Sequence, residues 1–187
     1  AAQLRHRIDT KTKPLGSLGH LETLAEQIAT IQQTLTPTLS QPTILVFAAD
    51  HGIAAEGVSA FPSEVTGQMV ANFLAGGAAI SVLARQHGIE LQVIDAGVAS
   101  DLSGLHGLVD RKIAPGTTNM LSGPAMTTSQ AEAAIQAGRR LVDDLQTNGT
   151  NVVGFGEMGI GNSSAAAMVM ALMLELPVAD CVGAGTG

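Results

Sequence analysis

Residues 154–164 read GFGEMGIGNSS, a G-x-G-x-x-G at Gly154, Gly156 and Gly159 with a carboxylate, Glu157, inside it. Between an apolar run and a helical one, glycines at this spacing let a backbone turn tightly and approach a pyrophosphate at a helix N-terminus. The carboxylate argues against that ligand. Glu157 would face a doubly charged pyrophosphate at close range, where like charges repel. The acid expected about 20 residues further on would be Asp180, which stands too early in its apolar segment. Two readings stay open. The glycines serve only tight turning and close packing, or the ligand carries hydroxyls or a positive ring that a carboxylate can hold.

Two further stretches could carry chemistry. AADHG, 48–52, puts Asp50 and His51 after an apolar run. Asp-His-Gly also occurs in metal-dependent phosphatases, but a catalytic site of that type needs more Asp or His ligands from other strand ends. His6, His20, His87 and His106 form no ligand set by spacing, so no metal is expected. Asp50 then caps a turn and His51 is hydrogen-bonded at the loop. EGVSAFPSEVTGQMV, 56–70, places Phe61 before a helix and Met69 two turns into it. An aromatic ring and a thioether can sandwich a flat heterocycle, and Met158 beside Glu157 adds a third soft wall; plain core packing explains the same residues.

The elements that must position these residues alternate. Leu21, Leu24, Ile28, Ile31 and Leu35 make one apolar stripe of a helix over 18–35, with Glu22, Glu26 and Gln27 on its other side. TPTLSQPT, 36–43, reads as a linker. TILVFAAD, LQVIDAG and NVVGFGEM read as buried strands, and VADCVGAGTG as the start of a fourth. Helices are expected from Pro62, over AAISVLARQ, from a capping box at Ser129 and Glu132 to about Thr147, and from Ser163 to Leu174 behind an Asn162 cap. Residues 100–128 read as a long ordered loop. Strand–helix alternation with apolar strands predicts an α/β fold, a parallel sheet with helices on both faces. The predicted division is a helical N-terminal unit, 1–40, and an α/β domain, 41–187. GAGTG, 183–187, resembles a phosphate-cradling loop with no helix after it, and the chain starts at Ala1 without methionine; together these suggest a piece of a longer protein.

Composition narrows the partners. The 187 residues carry a net charge of −7 with nine Lys and Arg and no basic cluster, which argues against nucleic acid. Aromatics make up 2%, without Trp or Tyr, so the core is built from Ala, Leu, Ile, Val and Met. The single Cys181 excludes an internal disulfide. With no signal-like segment and no apolar run long enough to span a bilayer, a soluble cytoplasmic protein is expected.

TKPLGSLGHLETLAEQIA, AADHGIAAEGVSAFPSEVTGQMVANFLAGGAAI, GTTNM and GFGEMGIGNSS follow one another in this order. Together they resemble the nicotinate-nucleotide:dimethylbenzimidazole phosphoribosyltransferases of cobalamin lower-ligand assembly, over roughly residues 8–187. The resemblance implies a Rossmann-like domain. It also implies transfer of phosphoribose from nicotinate mononucleotide to 5,6-dimethylbenzimidazole, without cofactor, by a homodimer. It places Phe61, Met69 and Met158 along the acceptor-base pocket, Glu157 beside the nucleotide ribose, and Gly185, Thr186 and Gly187 at the loop near the 5′-phosphate. Asp50 and His51 fall in a signature stretch of architectural role. The family's general base, a glutamate of the C-terminal half, has no counterpart here, so the 187 residues are expected to be an N-terminal half without normal turnover. The alternatives are a partner-dependent ligand-binding subunit and the Asp-His-Gly metal phosphatase.

Overall fold

The protein is described by a computed structural model over residues 2–185. Two compact units divide between Ser40 and Gln41. The first holds α1, Ala2–Asp9, and α2, His20–Ile31. The expected apolar stripe of α2 does not face inward: Leu21, Leu24 and Ile31 are 62%, 49% and 80% exposed, while Glu22 is buried at 4%. The reason is local. Glu22 accepts the Leu18 N–H at 3.2 Å and pairs with Lys13 Nζ at 2.7 Å, so the 11–19 segment folds back over the acid's side of the helix.

The second unit is a four-stranded parallel sheet in the order β3-β2-β1-β4. β1 is Thr43–Ala49, β2 Glu90–Gly97, β3 Leu108–Asp110 and β4 Val153–Met158. β3 lies inside the stretch expected to be loop. It pairs with Val93–Asp95 of β2, and Arg111 and Ile113 extend the attachment by donating backbone N–H groups to Asp95 and Ala96. Three residues with no apolar run leave no periodic signal to read. The expected strand at VADCV is instead one helical turn, α7, Val178–Cys181, led by Pro177 at φ −57°. Four apolar residues cannot distinguish strand from helix by periodicity, and the proline favours the helical start.

Helices cover both faces. On one, Val70 of α3 (Glu64–Leu74) packs with Ala48, Val93, Val98 and Leu102; on the other, Leu141 and Leu145 of α5 (Thr128–Thr147) pack with Leu45 and Ile94. Strand alternation explains the division: residues 45 and 48, three positions apart, and the neighbours 93 and 94 point to opposite sides. Each fully buried Leu, Ile or Val contributes roughly 1.5–3 kcal/mol. Residues 64–87 are long and apolar enough to cross a membrane as one helix. They form two, α3 and α4 (Ala79–His87), separated around Gly76 and Gly77 and joined by the Ser81 hydroxyl donating to the Phe73 carbonyl at 3.0 Å.

Two caps differ from expectation. The capping box of α5 is Thr127 with Gln130, two residues before the predicted pair: the Gln130 N–H donates to Thr127 Oγ1, and the Thr127 N–H to Gln130 Oε1. α6, Asn162–Leu174, is preceded by Gly161 at φ 90°, and Asn162 is its first residue rather than its cap. α6 is apolar all round, burying Ala167 and Ala171 and exposing Leu172 and Met173.

Candidate active site at the ends of β1 and β4

In the order β3-β2-β1-β4 the strands stay parallel, but the sheet is built outward from β1 in two opposite directions, through β2 and β3 on one side and to β4 on the other. The crevice outside the carboxyl ends of strands at such a switch point is where open α/β sheets bind ligands. AADHG leaves β1 there, and GEMGIG leaves β4.

From β1, Asp50 is tied to the main chain on three sides. Its N–H donates to the Gly97 carbonyl and its own carbonyl accepts from Thr117, each at 3.0 Å, while its Oδ2 accepts from Ala99 at 2.8 Å. Gly52 N–H donates to Thr117 Oγ1 at 3.1 Å, and Asn119 donates to Glu56 Oε1. The 113–128 segment is thereby fastened to the turn after β1. Between them and the first turn of α5 lies a cavity of about 940 Å³, lined by Asp50, His51, Gly97, Met126 and Gln130 among others.

From β4, Glu157 falls in register with Phe47, and Met158 with Ala48. Phe47 belongs to the α5 face and Ala48 to the α3 face, so these successive residues point apart. Met158 packs against the cluster of Ala48, Val70 and Val93. Glu157 keeps a side chain 45% exposed, with Oε1 3.6 Å from His51 Nε2 and Oε2 accepting from Asn162 Nδ2. The turn that carries it is anchored by a buried hydrogen bond from the Ile160 N–H to Thr66 Oγ1 of α3, at 3.2 Å. Gly159 is required by space: a Cβ there would collide with the Ala49 carbonyl and sit 2.9 Å from both Glu157 Oε1 and His51 Nε2.

The other residues expected at the site divide. Phe61 is 51% exposed in the turn before α3, and Met69 is half-buried on α3, the helix that also meets Met158 through Val70. Gly185, at φ +61°, lies against the start of α6: a Cβ there would stand 2.8 Å from Ser163 Oγ. Thr186 and Gly187 lie outside the described residues. Among those described, no three His, Cys, Asp or Glu side chains gather as metal ligands. Sequence reasoning gave His51 and Asn162 architectural roles. Asn162 reaches Glu157 from five residues further along the same turn, but the approach of His51 depends on β1 and β4 being neighbours, which no local pattern reports.

A half-exposed carboxylate at the crevice, held by an amide, with an imidazole nitrogen 3.6 Å away and free of any cationic Lys or Arg within ion-pair distance among the described residues, can stabilise positive charge that develops on a ligand. Comparison with known proteins gives the family. A family model described as phosphoribosyltransferase matches residues 1–187. A nicotinate-nucleotide–dimethylbenzimidazole phosphoribosyltransferase of Dechloromonas aromatica (strain RCB) is 56% identical, covering 98% of this chain and 53% of its own length. One from Cupriavidus taiwanensis is 58% identical with the same two coverages. The crystal structure of CobT from Thermus thermophilus superposes with a TM-score of 0.92 at 47% identity, covering all of this chain and 56% of that one. The chain spans about half the length of the curated relatives it matches.

Proposed function

Since this chain belongs to the phosphoribosyltransferase family, we propose that the full-length protein moves phosphoribose from nicotinate mononucleotide to 5,6-dimethylbenzimidazole. The products are α-ribazole 5′-phosphate and nicotinate, and the reaction serves cobalamin biosynthesis. The observation that carries the reading is Glu157 at the β1–β4 crevice, half exposed, held by Asn162 and with His51 Nε2 3.6 Å away.

The chemistry follows from the donor. The bond from ribose C1′ to the pyridinium nitrogen breaks with its electron pair going to nitrogen, so the departing ring becomes neutral at that atom and needs no acid. Positive charge grows on C1′ and its ring oxygen, and the Glu157 carboxylate stabilises it. A benzimidazole nitrogen attacks C1′ from the opposite face and inverts it, and the proton on the base's other nitrogen goes to a general base. That base belongs to the part of the family's length that this chain does not span. No metal or cofactor is called for. Phe61, Met69 and Met158 take the methylated base, whose apolar rim asks for no polar partner. Gly185, Thr186 and Gly187 take the 5′-phosphate, and the position of Gly185 against Ser163 at the start of α6 supports this, since a helix N-terminus favours an anion. The reading includes residues 1–40 as part of a small domain and 41–187 as part of a Rossmann-like one. It also includes a homodimer acting in the cytoplasm.

Glu157→Gln in the full-length protein tests it. Turnover should fall about 10²-fold or more, with affinity for dimethylbenzimidazole by calorimetry unchanged. Equal loss of both would make Glu157 a structural residue and remove the support.

A further inference from the structure

We infer that His51 is a positioning residue for Glu157, holding one carboxylate oxygen while Asn162 holds the other. The inference rests on the phosphoribosyl-transfer reading and adds to it a residue from the strand next door.

Four observations lead there. The His51 side chain is 17% exposed, and its Nε2 is buried with no hydrogen-bond partner among the described residues. A buried ring nitrogen left unpaired is costly, so native structures rarely keep one without a purpose. Glu157 Oε1 lies 3.6 Å from that atom, longer than a hydrogen bond. Hydrogen bonds at catalytic groups are often long before substrate arrives and shorten in the complex. Secondly, both atoms border the space that Gly159 leaves empty, each 2.9 Å from where a Cβ would stand. Thirdly, the second oxygen of Glu157 already has a donor in Asn162, so His51 completes a two-sided grip on the carboxylate. Fourthly, both carriers are anchored: His51 follows Asp50, which the main chain holds on three sides, and Glu157 precedes the turn pinned to Thr66.

The grip has a consequence for chemistry. A carboxylate already oriented needs little reorganisation when charge develops at the ribose, and its stabilising effect is available at the moment of reaction. Asn162 and His51 come from α6 and from the end of β1, so the carboxylate is fixed from two elements rather than one. The pairing also assigns the proton of a neutral His51 to Nε2, since only an N–H can be donated to Glu157.

Two measurements on the full-length protein test this. Long-range ¹H–¹⁵N spectra of the histidine side chains should show His51 protonated at Nε2. Its ring shifts should move in Glu157→Gln and stay in the control Glu132→Gln, a change at an exposed position of α5. In kinetics, His51→Ala should lower kcat about 10-fold to 100-fold, with the KM for the acceptor base within about twofold. His51→Gln, which keeps a donor, should recover most of the loss. In the Glu157→Gln background, His51→Ala should cost nothing further, as expected of residues that act as a unit. Independent, multiplying losses in the double variant would overturn the inference. So would a His51 spectrum indifferent to Glu157, or a fall in melting temperature with kcat per folded molecule unchanged. A wild-type protein that transfers no phosphoribose sinks the functional reading and the positioning role together, while the spectra still decide the pairing.

Discussion

Asp50 and Glu157 lie at the carboxyl ends of neighbouring parallel strands, yet the fold uses the two carboxylates differently. Asp50 is 8% exposed; its carboxylate takes the Ala99 N–H, and its own peptide groups bind Gly97 and Thr117. Glu157 has a side chain 45% exposed and is approached by two other side chains. An acid buried against backbone donors builds the loops around it, because removing it takes the acceptor from a part-buried N–H that ties the loop after β2 to the turn after β1. An acid held by side chains at an open crevice can face a ligand without loosening the loops.

That contrast can be broken by experiment. The largest effect belongs to Gly159, where the turn after β4 lies against the end of β1. Gly159→Ala drives a Cβ against the Ala49 carbonyl and between His51 and Glu157, and should cost about 3 kcal/mol of stability in urea unfolding. It should also abolish turnover of the full-length protein. A variant as stable as the parent would mean that the turn relaxes and that the glycine is not required. Next comes Asp50→Ala, which leaves the Ala99 N–H without its acceptor and should cost about 2 kcal/mol by the same measurement. Glu157→Gln, by contrast, should change stability by less than about 0.5 kcal/mol. If the two acids proved equally important for stability, the distinction between them would be gone.

The smallest effect tests whether the rule extends to a third acid. Glu22, in the N-terminal unit, is buried like Asp50 and also takes a backbone donor. The Lys13 ammonium beside it, then the Leu18 N–H, hold its carboxyl below the ordinary 4.5. A carboxyl with a lowered pKa adds stability that is present above the unfolded value and is lost as pH falls through the folded one. Melting curves should therefore show the wild type ahead of Glu22→Gln at neutral pH. The gap should close as the pH drops below 4.5. A gap independent of pH would mean that shape, not charge, holds Glu22 in place.

Much of this was legible from the chain. TILVFAA and LQVIDAG declare themselves as strands because both faces of the sheet are covered there, so each reads as an apolar or small-residue run; VGFGEM was legible as such a run too, although β4 leaves Phe155 exposed. The oddity of Glu157 among glycines was also legible, and it pointed away from a dinucleotide. β3 was not, since its pairing rests on backbone bonds to β2 that any residues could make. The covered side of α2 was not legible for a related reason: a stripe of leucines marks an amphipathic helix, but the Lys13–Glu22 pair lies on the side that the chain covers.

The sequence by itself determined the alternation of strands and helices, the carboxylate at the end of β4 and the family to which the chain belongs. Those are properties of short windows, where residue type and spacing set the local free energy. Only the tertiary structure decided that β1 and β4 lie side by side, that Met158 and Glu157 part to opposite faces, and that His51, 106 positions before Glu157 in the chain, stands 3.6 Å from it. Strand order is chosen by how helices pack on a twisted sheet, through contacts summed over the whole domain. No window of sequence contains that sum.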